Sequence, residues 1–204
     1  MIRLFAIFIG LGLILPSCAT VPKPEPYRPV FNAIAFEQAV EGIRTAADVR
    51  KLVSNRTMHS VSRGHGNQFE YLASNGRTFL WYPGNRRIVA GEWKADIGNV
   101  NTFINQDPFA EPKVEIKPRI CFRYGANSYN PVTKTVGGRW ECRHIAIWMK
   151  STHDLRSGDP LNLSNNLPYI LAKFPVTTIK EVATKIEASD PIGPNLATWR
   201  DLNR

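Results

Sequence analysis

Short segments of alternating apolar and polar residues, separated by turn residues, fill the middle of this chain. They cover residues 57–62, 69–72, 77–82, 87–93, 120–124 and 140–148. Asn75-Gly76 lies between two of them, and an Asn-Gly pair between apolar runs is a strong signal for a β-hairpin. Even spacing of short strands is typical of an antiparallel meander that curls toward a small barrel. The sequence therefore predicts an α+β fold that is mainly β and is flanked by short helices.

The predicted strands differ in length. Residues 140–148 form the longest, and the alternation places every second residue from Trp140 to Trp148 on one face. The polar stretch 99–117 predicts a long loop between two strands.

Helical patterns flank the β region. Residues 34–43 carry apolar residues at helical spacing, and Thr45 followed by Asp48 is the pattern of a capping box at the start of a second helix. Residues 178–187 predict an amphipathic helix, and residues 169–174 a short strand or helix.

The chain begins with a short positive start and an apolar run over residues 4–15. This run is shorter than the roughly 20 residues of a membrane-spanning helix, and the plan is that of a secretory signal peptide. The segment Leu15-Pro16-Ser17-Cys18 resembles the lipobox of bacterial lipoproteins. The resemblance implies removal of residues 1–17, a diacylglycerol on the Cys18 sulfur, and an acyl chain such as palmitate on the new amino terminus. An ordinary signal peptide cut near Ala19 is the alternative.

The same resemblance implies a location. Ala19 stands where an Asp would resemble a signal for retention at the inner membrane, so we expect an outer-membrane protein, lipid-anchored and facing the periplasm. Two or more acyl chains attach a protein stably to a bilayer. The proline-rich residues 18–33 predict an extended tether, residues 34–188 a single β-rich domain, and residues 189–204 a loosely ordered tail.

Three cysteines are present, and lipidation of Cys18 leaves Cys121 and Cys142 as a pair. The periplasm is oxidising, which favours a disulfide between them. A metal site or a redox pair is the alternative, although the spacing is not the close Cys-x-x-Cys typical of those sites.

The formal net charge of +9 favours anionic neighbours such as lipid headgroups, lipopolysaccharide or acidic wall polymers. Nucleic acid is not an expected partner, because an exported protein rarely meets it. A basic surface that serves only solubility is the alternative.

Three motifs follow one another in the predicted sheet: Gly91-Glu92-Trp93, Ile120-Cys121-Phe122-Arg123-Tyr124 and Gly138-Arg139-Trp140-Glu141-Cys142. Through these motifs, the segment 45–145 resembles a family of small exported β-rich proteins of unknown function, found mainly in alphaproteobacteria. This resemblance implies a compact sheet with a paired disulfide, and it implies no activity. A looser similarity links the chain to barrel-shaped lipoproteins that inhibit proteases.

No sequence motif has the pattern of a catalytic or metal site. The histidines at positions 59, 65, 144 and 153 belong to no spaced metal motif. Ser151-Thr152-His153-Asp154 places nucleophile, base and acid types side by side, whereas catalytic groups normally meet through the fold. We therefore predict no catalytic residue, no metal and no cofactor.

Arginines alternate with aromatic residues in the predicted strands. Both residue types dominate binding hot spots, and arginine suits phosphates and anionic sugars. The alternative is a core of aromatic rings with arginines that point outward. The candidate binding residues are Arg86, Arg87, Arg123, Arg139, Trp140 and Arg143.

These features predict a non-enzymatic outer-membrane lipoprotein that acts as a periplasmic binding or envelope-assembly module. Its expected partner is anionic or a protein: an envelope protein, lipopolysaccharide or peptidoglycan. An inhibitor of periplasmic proteases or wall lytic enzymes is the second hypothesis. An enzyme that acts on cell-wall polymers is the third.

Overall fold

The computed structural model describes residues 40–102, 113–189 and 193–194. The lipobox, the tether, residues 34–39 of the predicted first helix and most of the C-terminal tail lie outside the described residues. The lipid anchor and the domain boundaries therefore stay predictions. None of the helices in the described ranges is long and apolar enough to cross a bilayer.

Strands dominate the described residues. The helices are α1 (Ala46–Val53), α2 (Ile145–Met149) and α3 (Ile179–Glu187). The strands are β1 (Arg56–Ser62), β2 (Gly66–Leu72), β3 (Arg77–Trp81), β4 (Val89–Thr102), β5 (Lys113–Tyr124), β6 (Tyr129–Asn130), β7 (Thr135–Val136), β8 (Glu141–His144), β9 (Thr152–Ser157), β10 (Asn166–Leu167) and β11 (Gly193–Pro194).

Seven of the strands form one antiparallel sheet in the order β8-β5-β4-β3-β2-β1-β9, curled into a half-barrel. This arrangement confirms the predicted mainly β, barrel-like α+β fold with short helices. The predicted Asn75-Gly76 hairpin joins β2 to β3, and Gly76 has a φ of 85°, a left-handed value that favours glycine.

The strand register divides the sheet into two faces. Met58 lies opposite Glu70, Glu70 opposite Leu80, and Leu80 opposite Val89, so these side chains share one face. We call it the inner face, because it encloses the cavity described below. Residues at the alternate positions, such as Phe69, belong to the outer face.

One end of the inner face is filled by α1 and α2. Val49 and Val53 of α1 and Ile145 of α2 are buried against Trp93 of β4. The predicted capping box begins α1: Thr45 Oγ1 accepts a hydrogen bond from the Asp48 N–H at 3.1 Å, and Asp48 accepts one from the Thr45 N–H at 2.8 Å. The first helix turn is thereby satisfied, and its apolar stripe faces the sheet.

The outer face of β2 and β3 is covered by the C-terminal part of the chain. Phe69 and Trp81 pack in one buried cluster with Leu171 and with Val182 of the predicted helix α3. Asn67 ties this segment to the sheet: its side chain donates to the carbonyl of Pro175 at 2.8 Å and accepts from the backbone N–H of Thr177 at 3.2 Å.

Three local predictions are wrong. The expected strand 140–148 ends at His144 and continues as α2, because residues 145–149 are apolar at every position and show no period of two. Part of the expected loop 99–117 is strand: β4 is the longest strand, with 14 residues, and it pairs with β5 from Gly91 to Thr102. Residues 169–174 form neither helix nor strand.

Candidate functional site

A cavity of about 970 Å³ lies at the open end of the inner face. Its walls come from β1 to β5, from β8 and α2, and from the connection that carries β6 and β7. This volume is at the upper end of the roughly 300–1,000 Å³ typical of small-molecule sites.

The cavity exists because the inner-face residues at this end are short or polar. The inner face at this end carries Ser60 and Ser62 of β1 and Gln68 of β2. Nearer the helices, the inner face of the same strands carries the larger apolar side chains of Met58 and Leu72. The β6–β7 connection crosses toward the β1–β2 turn, where a Cβ atom on Gly64 would lie 3.1 Å from Val132. The connection therefore borders the mouth, and the space beneath it stays open.

A buried carboxyl group forms part of the cavity wall. Glu70 is 4% exposed, and its Oε1 accepts hydrogen bonds from Thr78 Oγ1, at 2.7 Å, and from the Tyr124 hydroxyl. Burial raises the pKa of Glu70 to about 7, so the neutral and ionised forms both occur near neutral pH. Since both hydroxyls donate to Oε1, the acidic proton belongs on Oε2, which receives no hydrogen bond from the described residues.

The path from Tyr124 to Glu70 depends on a glycine. Gly91 of β4 lies opposite Tyr124 of β5 and opposite Thr78 of β3. A Cβ atom on Gly91 would lie 2.7 Å from Cδ1 of Tyr124. The missing side chain lets the tyrosine ring lie across β4 and reach the Glu70 carboxyl group.

Aromatic rings line the cavity next to this carboxyl group. The Phe122 ring stacks with Tyr124, with centroids 6.2 Å apart, and with Trp148 of α2, at 5.9 Å. His65 and Tyr82 also line the cavity, and His65 Nδ1 lies 3.0 Å from the Tyr82 hydroxyl. Burial, reinforced by the positive charges of Arg143 and Lys173, lowers the pKa of His65, so its imidazole is neutral near pH 7.

Cations surround the cavity. Four of the predicted binding residues and one lysine line it with exposed side chains, and none of them forms an ion pair with a carboxylate of the described residues. The carboxylates in the lining are those of Glu70 and Glu141. We call the five cations the rim: Arg86, Arg87, Arg139, Arg143 and Lys150.

The other two predicted binding residues, Arg123 and Trp140, do not line the cavity. Arg123 belongs to the outer face, where it forms an ion pair with Glu92. The Trp140 ring lies near two cations, with the Arg123 guanidinium 4.8 Å and the Lys94 ammonium 4.9 Å from its centroid. The structure thus brings four of the six candidates together, and a binding role for any of them stays a prediction.

The cysteine pair also lies on the outer face. Cys121 of β5 and Cys142 of β8 are direct partners in the strand register, and their sulfurs are 2.03 Å apart, a disulfide distance. Asp96 lies beside them. Sulfurs bonded to each other offer no thiolate to a metal ion, so this group is a structural crosslink.

The histidines and the segment 151–154 have structural surroundings. His59 is buried on the outer face, stacked on Phe69 with centroids 4.4 Å apart, and burial lowers its pKa. Ser151 Oγ donates to the carbonyl of Trp148, while Asp154 pairs with Arg156. The hydroxyl and the carboxylate of this segment therefore point to different partners and do not form a catalytic relay.

Sequence reasoning missed Glu70, Thr78 and Tyr124. A glutamate in an alternating strand is normally read as a solvent-facing residue, and its burial becomes visible only when the sheet curls. The available signal was the strand parity, which places Glu70 on the same face of β2 as the apolar Leu72.

Comparison with known proteins gives no relative for this chain: no family model, no curated protein sequence and no solved structure matches it significantly.

Proposed function

We propose that this protein is a lipid-anchored, periplasm-facing module of the outer membrane that binds an anionic small molecule in the cavity of its inner face. The location is supported by the lipobox-like segment that ends at Cys18. The binding role is supported by the cavity and by its cationic rim, and it is non-enzymatic. A protein partner, as for an inhibitor of proteases or wall lytic enzymes, remains the alternative drawn from the sequence.

One observation carries this proposal: the five rim cations line one cavity, and none of them forms an ion pair with a carboxylate of the described residues. Clustered, unpaired cations repel one another and raise the local concentration of anions. Arginine in addition recognises planar carboxylate or phosphate groups by paired, charge-assisted hydrogen bonds. An anion that enters the cavity replaces water around these groups and relieves their mutual repulsion.

Binding is tested with the mature protein by calorimetry and by tryptophan fluorescence, using inorganic phosphate, glucose 6-phosphate, digalacturonate and octyl phosphate as probes. We expect at least one organic anion to bind at micromolar to millimolar concentration, with an affinity that falls as salt rises. The double variant Arg86→Gln/Arg87→Gln should bind it about 30-fold or more weakly, because two charge-assisted contacts are lost.

The matched control is Lys51→Gln/Lys180→Gln, which removes the same charge from exposed positions on α1 and α3, away from the cavity. Its affinity should equal that of the unsubstituted protein. If the control loses affinity as strongly as the rim variant, the effect is one of net charge and the cavity is not the site. If no anion binds, the proposed function is wrong.

The anchor is tested separately by mass spectrometry of the protein extracted from native membranes. We expect a mature amino terminus at Cys18 that carries a diacylglycerol thioether and an amide-linked acyl chain. A Cys18→Ser variant should lack both groups and leave the membrane fraction. An unmodified thiol at Cys18 would show that the location proposed here is wrong.

A second candidate, an enzyme acting on wall polymers, is favoured by the Glu70 carboxyl group. A buried carboxylic acid with a pKa near 7 is suited to general acid catalysis. Release of reducing ends from purified wall fragments distinguishes the two functions: an enzyme releases them and loses this activity in Glu70→Gln, whereas a binding module releases none.

A further inference from the structure

We infer that the ligand of this cavity is an acidic sugar, whose anionic group meets the arginine rim and whose hydroxyl groups hydrogen-bond to the Glu70–Tyr124 floor. This inference rests on the proposed function and adds the chemical class of the ligand. It follows from a feature that anion binding alone does not require: the floor, in which the buried Glu70 carboxyl group accepts a hydrogen bond from Tyr124.

The floor distinguishes a sugar from a lipid-like anion. Glu70 lies in the lining with one carboxyl oxygen occupied by Thr78 and Tyr124, and no described residue donates to the other oxygen. A hydrocarbon chain in this place would exclude water from Oε2 without replacing its hydrogen bond, which costs about tenfold or more in affinity. A hydroxyl group satisfies the same oxygen.

A hydroxyl group also suits both protonation states of this carboxyl group. The neutral form of Glu70 donates a hydrogen bond through Oε2, and the ionised form accepts one, whereas a sugar hydroxyl both donates and accepts. A ligand ammonium group would require the ionised form and would meet repulsion from the rim on its way in. Cations at the rim of the cavity, together with a carboxyl group at its floor, therefore favour an anion that is rich in hydroxyl groups.

The remaining lining agrees with a sugar ring. The side chains of Ser60, Ser62 and Gln68 add further hydrogen-bonding groups on β1 and β2. The stacked rings of Phe122 and Trp148, which also line the cavity, offer an apolar surface on which the C–H face of a pyranose packs. With about 970 Å³, the cavity has room for more than one sugar ring.

The test compares anions of similar charge that differ in the rest of the molecule, together with one neutral sugar. Digalacturonate and glucose 6-phosphate are acidic sugars that carry carboxylates and a phosphate, octyl phosphate is an anion with an apolar body, and lactose is a neutral sugar. We expect at least one acidic sugar to bind tenfold or more tightly than octyl phosphate and lactose.

Two floor variants complete the test. Glu70→Leu should weaken the acidic sugar about tenfold or more while octyl phosphate binds equally well or more tightly, which also shows that the variant is folded. Tyr124→Phe, a smaller change that removes one donor from Glu70, should weaken the acidic sugar severalfold. Thermal melts of both variants report their folding independently of any ligand.

The outcomes separate the inference from the function on which it rests. If octyl phosphate binds more tightly than both acidic sugars, or if both floor variants bind the acidic sugar with unchanged affinity, the cavity binds anions and the sugar assignment is wrong. If none of the anions binds, the proposed function and this inference fail together.

Discussion

Two regions of this molecule are rich in basic residues and differ in whether carboxylates neutralise them. On the outer face of β4 and β5, arginines are paired: Arg119 binds both carboxylate oxygens of Asp96, at 2.8 and 3.0 Å, and Arg123 pairs with Glu92. At the rim of the inner face, Arg86 and Arg143 have no such partners among the described residues. The same residue type is ion-paired on one face and has no carboxylate partner among the described residues on the other.

The difference teaches how to interpret a basic chain. A net charge of +9 does not state where the unpaired cations are, because carboxylates such as Asp96 and Glu92 neutralise part of the positive charge on the outer face. Partner choice depends on the local excess of charge and on the shape that holds it. Here the excess of positive charge lies around a cavity, whereas the outer face, whose arginines are ion-paired, carries the disulfide.

The largest effect expected from this comparison concerns the disulfide of the outer face. The variant Cys121→Ala/Cys142→Ala opens a crosslink between residues 21 apart in sequence, which corresponds to about 3 kcal/mol of unfolding free energy in the chain-entropy model. Denaturant titration measures this loss. Ligand affinity, measured under conditions where the variant stays folded, should remain unchanged; a parallel loss of affinity would show that the two faces are coupled.

The next effect is a pH dependence that comes from the cavity. Burial raises the pKa of Glu70 from 4.5 to about 7, so the folded state holds its proton more tightly than the unfolded state. The stabilisation is therefore complete below pH 4.5 and is lost as the pH rises through 7. Between pH 5 and pH 8 the free energy of unfolding should fall by about 2 kcal/mol relative to Glu70→Gln, which cannot ionise.

Histidines on the outer side of the sheet act in the opposite direction. Burial lowers the pKa of His153 to about 4, so its contribution to stability is present above pH 6.5 and is lost as the pH falls toward 4. For this reason the Glu70 effect is measured as the difference between the two proteins in denaturant titrations at each pH. Parallel curves for the unsubstituted protein and Glu70→Gln would contradict a buried, titrating carboxyl group in the cavity.

Much of the fold was predictable from local patterns. The Asn75-Gly76 hairpin, the capping box at Thr45 and the amphipathic helix after Thr178 depend on residues close in sequence, and the structure contains all three. The predicted strand over 140–148 failed because residues 145–149 are uniformly apolar. Such a run has no period, and the sheet edge together with the inner core decides its conformation.

The site was predictable only in part. Composition indicated arginines with aromatic neighbours, and four of the six candidates line the cavity. The division between paired and unpaired arginines depends on strand register, which a single sequence does not supply. Arg123 and Glu92 are 31 positions apart in sequence, and they pair because the register places them opposite each other on β5 and β4. Glu70 was missed for the same reason, since its burial results from curvature and from the neighbouring Gly91.

The prediction with the smallest expected effects replaces one arginine on each face, in two separate variants. Arg119→Gln leaves Asp96 without its paired donor and should lower the free energy of unfolding by about 0.5–1 kcal/mol, as expected for a partly exposed ion pair, without changing ligand affinity.

Arg143, opposite Ile120 in the register, has no carboxylate partner among the described residues. Arg143→Gln should therefore leave stability unchanged and weaken anion binding severalfold. Denaturant titration and calorimetry on both variants measure all four quantities. Because the two substitutions remove the same charge from adjacent strand positions, equal effects on stability or on affinity would mean that the faces do not divide the arginines as proposed.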